Sequence, residues 1–147
     1  MRRIVTRHSE NGGVEFVYVG EVPRKEFLPG SKNEINFCWG TSSAASLPHS
    51  GGDVTASMAS FLPPPGGTSF LIMRFAPNFK SKLHATSTID YCTVISGEIC
   101  LVLPDGTEER IGPGECLIQN GTLHAWHNQT ADTCLMSVVM VGTTRRQ

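Results

Sequence analysis

The chain has 147 residues, which is enough for one domain with a sizeable hydrophobic core. Its 12 lysines and arginines are balanced by 13 aspartates and glutamates, for a net charge of −1, and they form no basic stripe, so neither nucleic acid nor a membrane surface is an expected partner. No apolar run approaches the ~20 residues of a membrane-spanning helix, and the start at Met1–His8 has no apolar signal segment.

The N-terminal part predicts a hairpin followed by a loop. Two short runs of β-branched or aromatic residues, Ile4–Thr6 and Val14–Val19, flank Asn11-Gly12-Gly13, a sequence typical of a tight turn. The next segment, Glu21–Lys32, is charged and contains two prolines and a glycine. This composition predicts a loop.

A further strand and a long arm come next. Residues 34–39 are apolar or aromatic at alternating positions and predict a strand. Gly40–Asp53 is rich in serine, glycine and alanine and has no periodicity, which predicts a long loop or arm. The proline-rich Phe61–Gly67 predicts a stiff segment that ends in a turn.

From Thr68 onward the sequence predicts short strands separated by turns that contain glycine or proline. The predicted strands are Thr68–Phe75, Tyr91–Ile95, Ile99–Leu103, Glu108–Ile111, Cys116–Gln119, His124–Asn128 and Cys134–Val141. No segment has a long period of 3.6 residues, so the predicted fold class is all-β, as a sandwich or a barrel.

We expect a single domain with three parts. Residues 1–60 would supply N-terminal strands and an arm, residues 61–142 would form the barrel, and residues 143–147 would be a fraying tail. The five cysteines are odd in number and include no Cys-x-x-Cys pair. They predict reduced thiols in a cytoplasmic protein.

Two segments carry polar side chains at strand spacing. In an extended Leu83–Ile95 segment, His84, Thr86 and Asp90 share one face, because successive side chains point to opposite sides. By the same rule His124 and Trp126 share a face. If both faces line one barrel, the two imidazoles and the carboxylate converge, which is a common ligand set for a divalent metal ion that takes part in chemistry.

These motifs resemble those of the small single-domain cupins. The first cupin motif has a His-x-His pair, a later Glu and a closing Gly, and is matched by His84, Asp90 and Gly97, with Thr86 at the second His. The second motif is matched by Pro113-Gly114-Glu115, Gly121, His124 and Asn128. A subgroup with a His-x-Thr-x-Thr-x-Asp-Tyr opening and a Gly-x-x-His-Ala-Trp close is similar over more positions. The resemblance implies the cupin double-stranded β-helix, a jelly-roll barrel.

The site residues leave several interpretations open. Asp90 is either a third metal ligand or a group that orients an imidazole. Thr86 is a weak ligand, so the metal has more water in its shell, or Thr86 hydrogen-bonds a bound water or the substrate, or no metal binds. Trp126 either stacks on a planar substrate or packs in the core. Cys92 is a soft ligand or a small buried apolar residue, and His127 has the parity of a surface residue.

The leading hypothesis is a metal-assisted enzyme acting on a small oxygenated organic molecule. A divalent zinc, iron or manganese ion held by His84, Asp90 and His124 would stabilise negative charge on a substrate oxygen. Asp90 or a metal-bound hydroxide would move a proton, and Thr86 and Trp126 would contact the substrate. The resemblance implies a lyase, either a decarboxylase or a dehydratase, or an isomerase, in secondary or aromatic metabolism. It also implies a homodimer formed through the N-terminal strands. The alternatives are a non-haem iron dioxygenase and a cupin that binds a small molecule without catalysis.

Overall fold

The computed structural model describes residues 1–28, 30–47 and 52–144, which contain eleven β-strands and no helix. No helix in these ranges could therefore span a membrane. The strands are β1 (Arg2–His8), β2 (Val14–Glu21), β3 (Arg24–Phe27), β4 (Glu34–Thr41), β5 (Thr68–Phe75), β6 (Thr88–Ser96), β7 (Ile99–Val102), β8 (Glu108–Ile111), β9 (Cys116–Gln119), β10 (Ala125–His127) and β11 (Cys134–Gly142).

Two larger sheets enclose the core. One has six antiparallel strands in the order β3-β4-β5-β11-β6-β9, and the other has three in the order β10-β7-β8. Residues Ile35, Leu71 and Val94 of the six-stranded sheet share one buried cluster with Ile99 and Trp126 of the three-stranded sheet. The two sheets therefore pack face to face, as the all-β prediction requires.

The alternation of side chains along the central strands follows the predicted parity. In β11 every second residue is buried, from Cys134 through Met140. In β6 the buried residues are Thr88, Asp90, Cys92 and Val94, and their neighbours in sequence face outward. Polar and apolar side chains thus enter the same interior from one strand.

The predicted N-terminal hairpin is confirmed, since β1 and β2 pair antiparallel across a turn at residues 9–13. Arg3 anchors this hairpin to the barrel. Its guanidinium donates hydrogen bonds to the Cys38 carbonyl and to Asp53, and lies 5.7 Å from the centre of the Trp39 ring. Of the predicted arm, Gly40 and Thr41 belong to the end of β4, and residues 48–51 lie outside the described residues.

The prediction that Glu21–Lys32 is a loop is wrong. Glu21 ends β2, and β3 lies inside this range and pairs with β4 as an edge strand of the six-stranded sheet. Lys25 contacts Glu34 at 2.8 Å across the pair. Charged side chains suit an exposed sheet edge, so the polar composition that indicated a loop also fits an edge strand.

The assumption that Leu83–Ile95 is one extended strand is also corrected, because regular pairing begins only at Thr88. The preceding segment instead runs beside β10 and the residues before it. Isolated bridges join Lys80 to His127 and His84 to His124. The segment leaves one sheet to reach the other, so its residues cannot all follow the parity of β6.

The predicted division at residue 60 stays a prediction, although β3 and β4 are hydrogen-bonded into the same sheet as β5. At the other end, Thr143 donates to the Ser87 carbonyl from its backbone at 2.9 Å. Residues 145–147 of the predicted fraying tail lie outside the described residues.

Thiol reactivity tests this fold. Four cysteines are buried and Cys116 on β9 is exposed. Burial raises the pKa of Cys92 to about 12 and that of Cys134 to about 11, so little of either thiol is ionised near neutral pH.

We expect Ellman's reagent to label one thiol quickly in the native protein and all five after unfolding. Cys116→Ser should remove the fast phase, and a second thiol reacting as fast would contradict this packing.

Candidate functional site

A cavity of about 340 Å³ lies between the two sheets. Its floor is formed by inward-facing residues of the six-stranded sheet, including Leu71, Asp90 and Val138. His84 and His124 line the same cavity. The structure therefore brings all three predicted metal-binding residues to the lining of one cavity.

The two histidines are held together by their backbones. The His84 amide donates to the His124 carbonyl at 2.8 Å, and the His124 amide donates to the His84 carbonyl at 2.9 Å. Residues directly opposite in an antiparallel pair carry their side chains on the same face. As a result the ring centres are 4.5 Å apart.

Each imidazole has one nitrogen committed to a backbone carbonyl. His84 Nδ1 lies 2.9 Å from the Lys82 carbonyl oxygen, and His124 Nδ1 lies 2.9 Å from that of Thr122. A carbonyl oxygen only accepts, so a neutral ring must carry its proton on Nδ1. Nε2 of both rings then keeps its lone pair, which is the arrangement found in histidines that bind metals.

The two histidines differ in their exposure. His124 is 2 % exposed, and burial lowers its pKa, with the nearby His84 acting in the same direction and the hydrogen bond to Thr122 opposing. Because the desolvated ring favours its uncharged form, His124 is neutral at physiological pH. His84 is exposed and lies at the mouth of the cavity.

Asp90 is a buried carboxyl group. It is 7 % exposed, and its Oδ1 atom has no hydrogen-bond partner among the described residues. Burial raises its pKa, while the nearby Thr88 hydroxyl and the charge of His84 partly offset this effect. A desolvated carboxyl of this kind is typical of a functional site, since it costs stability and contributes little to packing.

The predicted metal-binding residues are a pair of histidines with a carboxyl group in the same cavity. Within residues 1–28, 30–47 and 52–144, no group of three His, Cys, Asp or Glu side chains is close enough to hold a metal ion. His84 and His124 fit a metal through their free Nε2 atoms. Asp90 lines the same cavity, but its carboxyl is not close enough to the two histidines to form a three-residue metal site with them.

Thr86 and Trp126 also line the cavity. Thr86 accepts a hydrogen bond from the Thr88 hydroxyl at 2.7 Å, so its side chain is part of a polar chain that leads towards Asp90. The Trp126 ring packs edge-on to His124 at 5.4 Å and lies 5.9 Å from Phe75. Trp126 therefore supports His124 and also presents apolar surface to the cavity.

Other motif residues shape the chain around the site. Gly97 and Gly121 have positive φ values of 70° and 64°, which favour glycine. A Cβ atom on Gly97 would lie 2.5 Å from the Thr133 carbonyl oxygen. The buried Asn128 amide donates to the carbonyls of Phe75 and Asp132, so its role is structural.

Sequence reasoning missed much of the apolar lining. Met136, Val138 and Met140 alternate along β11, and the parity of the predicted strand Cys134–Val141 could have identified them. Phe61 and Leu62 come from a segment without regular structure. Nothing in their local sequence indicates that they line the cavity. Cys92 is a buried apolar residue of the core that also contacts the cavity.

Comparisons with known proteins identify similar sequences and folds. No family model matches the chain. Phomopsin biosynthesis cluster protein C′ of Diaporthe leptostromiformis is 31 % identical, over 87 % of this chain and 70 % of that protein. Cupin-domain-containing oxidoreductase srdB of Neurospora crassa is 29 % identical, over 86 % of this chain and 65 % of that protein. The solved structure of the polyketide cyclase RemF from Streptomyces resistomycificus has a TM-score of 0.56 at 20 % identity, over 84 % of this chain and 82 % of that one. The predicted fold class is confirmed.

Stability measurements on metal-free protein test the burial of Asp90. Because its folded pKa is raised above 3.8, the folded state binds this proton more tightly than the unfolded chain, and that stabilisation is lost as pH rises through the folded pKa. Asp90→Asn should therefore raise the melting temperature near pH 7, with a smaller gain near pH 4.

Asp105→Asn provides the control of opposite sign. Hydrogen bonds from Thr107 lower the pKa of the exposed Asp105, so removal of its charge should not raise stability near pH 7. A gain for Asp90→Asn that is the same at both pH values would show that the Asp90 carboxyl is not desolvated.

Proposed function

The chain is a cupin that belongs to the family of phomopsin biosynthesis cluster protein C′, and we propose that it is a metal-assisted enzyme of secondary metabolism acting on a small oxygenated organic molecule. The single observation that carries the proposal is the His84–His124 pair. Both Nδ1 atoms are hydrogen-bonded to backbone carbonyls, and both rings line a cavity that also contains the buried Asp90 carboxyl.

His84 and His124 would hold a divalent ion through Nε2, with Asp90 as a further ligand or as a neighbour that accepts a hydrogen bond. When bound, the ion would supply Lewis acidity that stabilises negative charge on a substrate oxygen. Zinc, iron and manganese all suit two imidazoles and oxygen ligands.

Asp90 is the residue we assign to proton transfer. A carboxyl with a raised pKa is a better base once ionised than an ordinary surface carboxylate, and it releases its proton less readily. From the cavity wall it can take a proton from a carbon beside a carbonyl group and return it to a neighbouring atom. The electron pair of the broken C–H bond moves towards the carbonyl oxygen, which becomes enolate-like.

Thr86 and Trp126 are assigned to substrate binding. The Thr86 oxygen lies at the polar end of the cavity and offers hydrogen bonding to a substrate hydroxyl or carbonyl. Trp126 supplies a rigid aromatic wall next to His124. Together these residues would orient a planar, oxygenated group against the histidine pair.

The reaction class that fits these roles is a lyase or an isomerase. Decarboxylation, dehydration and isomerisation of a carbonyl compound all pass through an enolate-like state, so all need stabilisation of oxygen charge. Dehydration and isomerisation need a base that removes a proton to form the enolate, whereas decarboxylation needs an acid that protonates the enolate after CO₂ has left. The similarity in fold to a protein named polyketide cyclase is compatible with substrates of this kind.

Two other functions have support from particular observations. Relatives are named cupin-domain-containing oxidoreductases, which favours an iron dioxygenase. Turnover under strict exclusion of oxygen would rule out a dioxygenase.

The lack of a three-residue ligand group among the described residues favours a non-catalytic binding protein. A protein that binds its ligand equally well with and without metal, and turns nothing over, would support that function.

Metal content tests the histidine pair. Wild-type protein reconstituted with manganese or zinc and then dialysed should retain about one ion per chain, and His84→Ala and His124→Ala should each weaken retention by at least about tenfold. His127→Ala is the matched control, because His127 lies on β10 close to His124 but is not part of the cavity lining. Unchanged metal content in both site variants would remove the basis of the proposal.

Hydrogen–deuterium exchange tests the role of Asp90. The neutral ketone 2-tetralone has acidic protons beside its carbonyl group, and the enzyme should accelerate their exchange with D₂O, as followed by NMR. Asp90→Asn should lower this acceleration by about 10²–10⁴-fold, whereas Asp105→Asn should leave it unchanged. Exchange that is equally fast with Asp90→Asn would assign proton transfer to another group.

We also propose that the chain forms a homodimer. The N-terminal hairpin exposes Ile4, Val14 and Phe16, and the outer face of the six-stranded sheet exposes Tyr91 next to Ile118. An isolated two-stranded hairpin is only marginally stable in water, and large exposed apolar surfaces are rare on monomers, so a second copy is the expected cover. Location in the cytoplasm stays a prediction.

Sedimentation analysis tests the dimer. The wild-type chain should sediment as a dimer, and Phe16→Lys should shift it to the monomer because the new charge would be buried in the interface. Glu109→Lys on β8, which is exposed, adds the same side chain elsewhere and should leave the dimer intact. A monomeric wild-type chain at high concentration would contradict the proposal.

A further inference from the structure

The turn that leads from β9 to His124 is held by a buried amide side chain. Gln119 is the last residue of β9 and is 2 % exposed. Its Oε1 atom accepts two hydrogen bonds from Thr122, one from the backbone amide at 2.9 Å and one from the hydroxyl at 2.8 Å. Because residues 120–123 form no regular structure, the position of Thr122 depends on contacts of this kind.

Thr122 is in turn the hydrogen-bond partner of His124. Its carbonyl oxygen lies 2.9 Å from His124 Nδ1 and accepts the proton that this nitrogen carries in the neutral ring. The Gln119 amide is therefore linked to the imidazole through one residue. A contact that fixes the partner of one ring nitrogen also fixes which nitrogen keeps its lone pair.

The same amide side chain lies beside the buried carboxyl of the site. Gln119 is directly opposite Asp90 in the β6–β9 pair, so both side chains are on the inner face of the sheet. The turn also packs against the segment before β6, since a Cβ atom on Gly121 would lie 3.0 Å from the Thr86 carbonyl oxygen. Gln119 does not line the cavity itself. It therefore joins the strand of Asp90 to the turn before His124 without reaching a ligand in the cavity.

From this chain of contacts we propose that Gln119 is a positioning residue for His124. It holds the Thr122 carbonyl where that carbonyl accepts the Nδ1 proton, and so leaves Nε2 of His124 free. The purpose of this arrangement rests on the proposed function, because that function assigns Nε2 to a divalent ion. Side chains that orient a metal-binding imidazole in this way strengthen metal binding without touching the metal.

The protonation pattern of the two rings tests this role in metal-free protein. Long-range ¹H–¹⁵N spectra are recorded at pH 8, above the ordinary histidine pKa of about 6.5, so that neutral rings are compared. Gln119→Met removes the acceptor oxygen at similar side-chain volume, and His124 should change from a single Nδ1-protonated form to a mixture of both tautomers. His84 should keep its pattern, because its Nδ1 is bonded to the Lys82 carbonyl independently of Gln119.

A milder variant covers the case in which Gln119→Met does not fold. Thr122 is exposed, and Thr122→Val removes only the hydroxyl donor to Gln119, so it should give a smaller change at His124 in the same direction. Thr130→Val is the matched control. Thr130 donates to the Asn128 side chain from its amide at 3.0 Å and from its hydroxyl at 2.8 Å, and its loss should leave His124 unchanged.

Zinc affinity of the metal-free protein gives a second readout. Gln119→Met should weaken zinc binding by about 10- to 100-fold, and Thr122→Val should weaken it less. Gln129→Met is the control for the loss of an amide, since Gln129 is exposed and its side chain donates to Glu108 at 2.9 Å. Its zinc affinity should equal that of the wild-type chain.

The outcomes separate this inference from the proposed function. An unchanged His124 pattern in folded Gln119→Met would overturn the positioning role, even if zinc still binds. Equal changes at His84 and His124, or a change in Thr130→Val as large as that in Thr122→Val, would show a general loosening of the fold and would also overturn it. If the pattern changes at His124 alone while the wild-type chain holds no metal, the metal proposal fails and the positioning role of Gln119 stands.

Discussion

The site depends on one pair of reciprocal backbone hydrogen bonds, between His84 and His124. Each is worth only about 1 kcal/mol in net stability. Their effect on geometry is larger, because they join a crossing segment to the chain just before β10 and fix two imidazoles on the same face. The Lys80–His127 bridge and the Ser81–Trp126 hydrogen bonds hold the start of this segment beside β10, and the His84–His124 bridge extends the contact to the two rings.

The buried carboxyl of Asp90, in the same region, lowers the stability of the fold. Asp90 occupies an inward position on β6, opposite Met140 on β11, where an apolar residue would pack without cost. Its Oδ1 atom has no partner among the described residues, and burial raises its pKa. Residues that break the packing rules in this way are expected where a protein acts on a ligand. The apolar walls around Asp90 form an environment in which small changes in charge have large effects.

Much of this could be predicted from the sequence. Period-two alternation and turn residues identified most of the strands from Thr68 onward, and parity identified Asp90 and Cys92 as inward-facing. Two features could not be predicted. The charged strand β3 has the composition of a loop, and its pairing depends on β4. Phe61 and Leu62 contribute apolar side chains to the cavity lining. Their position depends on where an irregular segment crosses the barrel, which the local sequence does not specify.

The protonation pattern of the two imidazoles tests the central claim most directly. Long-range ¹H–¹⁵N correlation spectra of metal-free protein, assigned with the His84→Ala and His124→Ala variants, report which nitrogen of each ring carries the proton. We expect a proton on Nδ1 of both rings, and a selective shift of both Nε2 signals when zinc is added. A proton on Nε2 of either ring, or zinc-induced shifts at a different histidine, would contradict it.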